Sequence, residues 1–141
     1  MDSDVKQIIS LMFTTGRLIK ECGEGIANMS PYSHLQLETL RYVSEEKIPA
    51  MKKVANYLCI TPPSATSLIN GLVKSGQLSR TTDEKDRRMV RLSITPKGQK
   101  NLDDGLKEIH ENMAKIFSHL DTSERKNLID ILSKLSSIFK Q

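Results

Sequence analysis

Thr61-Pro-Pro-Ser-Ala-Thr-Ser-Leu-Ile-Asn-Gly-Leu-Val-Lys-Ser-Gly76 is the stretch that decides how this chain reads. A Thr hydroxyl can cap free N–H groups, and a proline fits the first helical turn, where its missing N–H costs nothing, so a helix starts here. Ala65, Leu68, Ile69 and Leu72 then recur at i, i+3, i+4 and i+7, and Gly76 suits a left-handed C-terminal cap. The opposite side carries Pro63, Thr66, Ser67, Asn70 and Lys74, a small, polar face without an acidic residue. Upstream, Pro49 precedes a short helix over Ala50 to Leu58 with the apolar stripe Met51, Val54, Ala55 and Leu58. Downstream the period changes. Leu78 to Thr82 is extended, and Met89 to Ile94 alternates with Val90, Leu92 and Ile94 on one face. Between them Asp83 to Arg88 is polar throughout, which predicts a two-stranded hairpin with a charged tip.

The flanks are helical. Val5, Ile8, Ile9, Met12, Ile19, Cys22 and Ile26 predict a long first helix over 4–27, its end weakened by Gly23 and Gly25. Ser33 followed by Gln36 has the form of a capping box, with Leu37, Leu40 and Val43 marking the inner face of a second helix. Thr95-Pro96 repeats the start signal for a fifth helix bearing Leu102, Leu106, Ile109, Met113, Ile116 and Leu120. Asp121 or Thr122 caps a sixth with Leu128, Ile131, Leu132, Leu135, Ile138 and Phe139 inside. No repeat, low-complexity tract or linker divides the chain, so residues 1–141 read as one domain of mainly α class.

At 38% hydrophobic and 27% charged residues the composition is that of a globular protein, and only 4% are aromatic, too few for a base-stacking platform on single strands. Two cysteines, Cys22 and Cys59, make no disulfide framework, and neither a basic, apolar leader nor a membrane-length apolar run occurs. The expectation is a cytoplasmic protein without a membrane partner. The net charge of +4 is uneven: residues 74–100 hold eight basic against three acidic side chains, so the remainder is close to neutral. Charge alone would fit a solvated loop. Beside a polar helix face it is the footprint of a polyanion-binding element.

A short helix, a tight turn and a polar-faced helix make a helix-turn-helix, and a charged hairpin directly after it is a wing. Here the residues resemble the MarR family. Lys53 to Gly76 is similar to that family's helix-turn-helix, and Asp86-Arg87-Arg88 followed by Leu92-Ser-Ile-Thr95 and Gly98 resembles its wing signature. The resemblance implies a winged helix-turn-helix lobe over 33–97, with 1–30 and 98–141 forming long dimerisation helices. It implies a homodimeric regulator, a repressor on double-stranded DNA with a pseudo-palindromic site, released by a small aromatic or anionic effector bound at the junction of lobe and dimer helices. It departs from the commonest family pattern at Ser67, Asn70 and Gly71, where many relatives carry Arg, an acidic residue and Arg.

The candidate DNA-binding residues are Thr61, Pro63, Ser64, Thr66, Ser67, Asn70, Lys74, Asp86, Arg87 and Arg88. Hydroxyls and the Asn70 carboxamide match base edges or phosphates; Arg87 and Lys74 match phosphates. Arg88 has the affinity of a guanidinium for a narrow minor groove, with Asp86 two residues earlier to steady it. Gly71 inside a helix allows a close backbone approach to another element or to DNA. Cys22 and Cys59 lie on mainly apolar faces and read as small buried hydrophobes, with redox sensing through Cys22 as the alternative. His34, His110 and His119 have no metal-ligand spacing, and no nucleophile–base set or phosphate loop stands out, so neither a metal, a cofactor nor an enzyme is expected. The rival function is a winged helix used for protein–protein contact.

Overall fold

The computed structural model describes residues 2–22 and 31–139. Among them run α1 (Ser3–Cys22), α2 (Pro31–Glu46), α3 (Met51–Leu58), α4 (Pro62–Lys74), β1 (Leu78–Thr82), β2 (Val90–Ile94), α5 (Pro96–Phe117) and α6 (Thr122–Ile138). The start signals act as their chemistry dictates. Thr61 accepts the Ser64 N–H at 3.4 Å, and Thr95 accepts the Gly98 N–H at 3.1 Å. Asp121 and Glu124 form a full capping box, each side chain taking the other's backbone N–H. At the end of α4, Gly76 adopts φ 77°, its N–H bonds to the Val73 carbonyl and the Gln77 N–H to that of Leu72. That paired closure needs a left-handed residue, which glycine supplies without strain.

One boundary differs from the sequence expectation. The helix expected to open at Ser33 begins at Pro31, because proline is itself a favourable first helical residue; Ser33 then lies inside α2. The first helix runs to Cys22, and residues 23–30, with Gly23, Gly25 and Ile26, lie outside the described residues.

The core is that of a winged helix. Leu40 and Val43 of α2, Val54 of α3, Ile69 and Leu72 of α4, Leu78 of β1, Leu92 of β2 and Leu102 of α5 are almost wholly buried against one another. Leu78 opposes Ile94 and Thr82 opposes Val90 in the antiparallel hairpin. Helix α3 is held on α2 by aromatic stacking of Tyr57 on Tyr42, with ring centres 4.0 Å apart. The Tyr57 hydroxyl also donates to Glu38 at 2.5 Å and accepts from Arg41 at 2.7 Å. The Arg41 guanidinium holds the Glu38 carboxyl below its ordinary range, and the bond to Glu38 raises the Tyr57 phenol.

Between α2 and α3 the chain turns through two left-handed residues, Lys47 (φ 51°) and Ile48 (φ 55°). This corner is clipped to the hairpin: the Ile48 carbonyl accepts from Arg91 at 3.1 Å, and that of Pro49 from the Leu92 N–H at 3.0 Å. Among the described residues, α1 and α6 contribute nothing to the buried cluster. On α1, Met12 and Phe13 are 68% and 77% exposed; on α6, Ile131, Leu132, Leu135 and Ile138 all lie open.

Candidate nucleic-acid interface

Helix α4 buries Ala65, Ile69 and Leu72 and turns Pro63, Ser64, Thr66, Ser67, Asn70, Gly71 and Lys74 outward, as its 3.6-residue period requires. The outward groups are not equivalent. Thr66 donates its hydroxyl to the Pro62 carbonyl at 3.0 Å, and Thr61 donates to Ser64 Oγ at 2.8 Å, so both caps and hydroxyls are partly engaged within the helix. Ser67 and Lys74, among the described residues, have no internal polar partner. Around Gly71 a Cβ would meet nothing within 4 Å. The close approach to another element is therefore absent, and open space lies over the helix backbone at that point.

Asn70 has a partner from outside the helix. Arg80 of β1 donates Nη2 to Asn70 Oδ1. Arg80 was not among the candidate residues, yet the strand alternation carried a signal. Alternation sets it on the face of Leu78, beyond the buried part of the strand, where its exposed cation meets an acceptor on α4.

The wing tip is organised by a residue the sequence reading counted only as a charge. Asp83 accepts from Arg91 Nε at 2.5 Å and from the backbone N–H groups of Lys85 at 2.8 Å and Asp86 at 3.2 Å. These bonds, that of Arg91 foremost, hold its carboxyl below the usual carboxylate range. The Met89 N–H bonds back to the Asp86 carbonyl at 2.9 Å, and the Asp83 N–H to that of Met89 at 2.9 Å, which closes the tip. The expected steadying of Arg88 by Asp86 takes another form: Asp86 Oδ1 accepts the Arg88 backbone N–H at 3.0 Å. A short Asp side chain reaches its own backbone two residues on more readily than a flexible guanidinium. Arg87 and Arg88 thus stand exposed with their cationic ends unspent among the described residues.

The helix and the wing share a base. Thr95 donates its hydroxyl to the Gly76 carbonyl at 2.5 Å, Lys97 donates to the Ser75 carbonyl at 2.8 Å, and Asn101 donates to Gln77 Oε1 at 3.0 Å. The end of α4 is in this way stapled to the start of α5.

Cys59 corrects an expectation. It is exposed at the turn between α3 and α4 in a left-handed conformation (φ 51°), because closing the tight turn swings its Cβ away from the apolar stripe of α3. The Cys22 side chain lies outside the described residues. No helix among the described residues is long and apolar enough to cross a membrane.

Residues 32–90 match the model of the MarR family. The chain is 28% identical to the HTH-type transcriptional regulator FarR of Neisseria gonorrhoeae over 113 residues, which is 80% of this chain and 77% of that one. Several other curated relatives are matched over about half of their length. Among solved structures, a MarR transcriptional regulator from Methanosarcina mazei is 27% identical with a TM-score of 0.73, covering 96% of each chain. A MarR family protein from Bacillus stearothermophilus superposes with a TM-score of 0.82 over 100% of this chain and 99% of that one, at 19% identity. With its winged module matched over residues 32–90 and its whole length laid over solved structures of that family, the chain is similar to the MarR family of winged helix-turn-helix transcriptional regulators.

Proposed function

We propose that the chain acts as a homodimeric repressor whose two α4 helices enter successive major grooves of a pseudo-palindromic operator while the Arg88 guanidinium of each wing enters the adjoining minor groove. The observation that carries this reading is the division of the surface. One side of α4 and the wing tip present hydroxyls, a carboxamide and free cations, whereas α1 and α6 present rows of exposed apolar side chains. Faces of the second kind call for cover, and a second copy covers both helices by two-fold symmetry, with residues 1–30 and 98–141 as the interface. Repression follows from occupancy, since a dimer on adjacent grooves excludes polymerase from the same duplex.

The staple between α4 and α5 supports regulation through the junction, because a shift of α5 in the dimer is transmitted to α4 and changes the spacing of the two recognition helices. A small aromatic or anionic effector has a place to act. A groove of about 360 Å³ runs between α2 and α4, lined by Leu35, Gln36, Ile60, Ser64, Ser67, Leu68 and Gly71. An occupant there takes the Ser64 and Ser67 hydroxyls from DNA.

Footprinting on the DNA upstream of the protein's own coding region tests the operator reading. The expected result is symmetric protection with half-site centres about 10 bp apart. Protection of a lone half-site at saturation, or a monomer by sedimentation equilibrium at micromolar concentration, refutes the two-fold arrangement. Affinity that does not fall with ionic strength refutes phosphate-driven binding and favours a protein partner instead.

A further inference from the structure

We infer that Arg80 is a specificity-determining positioning residue: by holding the Asn70 carboxamide oxygen, it makes Asn70 present N–H donors to the duplex and read guanine rather than adenine. The inference deepens the DNA-binding reading and rests on it.

The contact runs from Arg80 Nη2 to Asn70 Oδ1, between a helix and a strand ten residues apart. A guanidinium carries donors only, so the carboxamide atom facing it is the oxygen whichever way the amide is assigned. That fixes the remainder of the group. Nδ2, with two hydrogens, is the end left for DNA, and among the described residues it has no internal acceptor.

The usual reading of adenine by asparagine is bidentate: the oxygen accepts from N6 while the amide nitrogen donates to N7. Here the oxygen is already beside a full positive charge. A second lone pair remains on it, but the N6 amino hydrogens would have to approach next to the guanidinium, positive toward positive. Guanine offers the opposite. Its N7 and O6 are both acceptors, lying side by side on the major-groove edge, and both are attracted by the donor pair and by the cation behind it. Arg80 is exposed and its other N–H groups have no partner among the described residues, so the Asn70–Arg80 unit faces outward as donors only. Ser67, one turn earlier on the same face, can act as donor or acceptor and does not offset this bias.

The test is selection of binding sites from a random duplex library by the intact wild-type protein and by Asn70→Ala, Asn70→Asp, Arg80→Ala and Arg80→Lys, with far-UV circular dichroism on each. Asn70→Ala identifies the position that Asn70 reads, as the one whose preference it abolishes in each half-site. That position is expected to be guanine for the wild type, with a preference of about tenfold or more, as one good base contact gives. Arg80→Ala is expected to move this position toward adenine while the others hold, and Arg80→Lys, which keeps a cationic donor, to retain guanine. Should Arg80→Ala fail to fold, Asn70→Asp decides: it keeps the contact to Arg80 as an ion pair but has no N–H, so guanine must be lost there. Adenine at that position in the wild type, or guanine undiminished in Arg80→Ala or Asn70→Asp, overturns the inference. If Asn70→Ala alters no position, the inference falls while DNA binding stands; if the wild type enriches no sequence, both fall.

Discussion

Gly98 of α5 lies so close to the backbone of Gln77 that a Cβ added there would stand 2.1 Å from the Gln77 carbonyl oxygen and 2.9 Å from its carbon. The start of α5 touches the turn that follows α4 backbone to backbone, and the Thr95 N–H fills the same carbonyl at 3.1 Å. Replacing glycine by alanine within a helix ordinarily gains about 1 kcal/mol. Overpacking against an immovable backbone costs about 1–3 kcal/mol and wins here. Gly98→Ala is therefore expected to lower the thermal midpoint by several degrees, and a midpoint at or above that of the wild type would contradict the contact.

Gly71 is the counterpart, since its added Cβ would meet nothing. Gly71→Ala is expected to raise stability by about 0.5–1 kcal/mol through the helix propensity alone. If DNA uses the open backbone there, the same variant binds its operator more weakly. The opposed signs, one from denaturant unfolding and one from a binding titration, separate the two roles of the residue.

How much of this was written in the sequence depends on the range of the interaction. Thr61, Thr95 and Asp121 act on N–H groups three residues away, and Gly76 acts on its own φ, so each was legible in a short window. The Ser33–Gln36 pattern was equally local and misled, because Pro31 offered an earlier start of the same helix. What could not be read is pairing between elements. Asn70 with Arg80, and Arg91 with Ile48 across 43 residues, exist only after the hairpin has folded back on α2 and α4. The role of Asp83 was hidden differently, since a carboxylate among cations reads as a solvated charge until its backbone partners are seen.

Asp83→Ala removes a negative charge from the wing proposed to face DNA. Charge alone predicts tighter binding. The three hydrogen bonds to Arg91, Lys85 and Asp86 predict the reverse, because the tip that presents Arg87 and Arg88 loses its organiser. Weaker operator binding, with faster hydrogen exchange at the Lys85 and Asp86 amides, is the expected result. Because the folded carboxyl titrates below its unfolded value, its contribution is complete above the usual carboxylate range and is lost as pH falls through the lowered value. Exchange protection of those amides should accordingly persist through neutral and mildly acidic solution and fail only in strong acid.

Arg88→Ala is expected to cut operator affinity and to reduce the salt slope by about one phosphate's worth, with the fold intact, since its side chain lies in the open. Asp86→Ala should give a smaller loss, because it frees the Arg88 backbone N–H and leaves the cation in place. Lys85→Ala serves as the control beside them. Equal losses from all three would reduce the wing to an unspecific charged arm.

Ile48 is a branched residue in left-handed backbone, a conformation that costs about 1–2 kcal/mol for any residue with a Cβ. It is half exposed, so little apolar burial is forfeited on truncation. Ile48→Gly is expected to stabilise the fold despite the lost side chain, as measured by the urea midpoint. A lowered midpoint would mean that Ile48 packs more tightly than its exposure indicates.

The buried cluster that begins with Leu40 and ends with Leu102 sets an order of events for a chain made from its N-terminus. Helix α1 emerges from the ribosome before the winged module, yet none of its described side chains belongs to that cluster, and a lone helix of 20 residues is marginal in water. The winged module can close its interior once Leu102 has emerged, with α6 still unmade. A helix made before the module is then still without cover when the module closes, and for the length of that delay its row of Val5, Ile8, Ile9 and Met12 is open to any chaperone within reach.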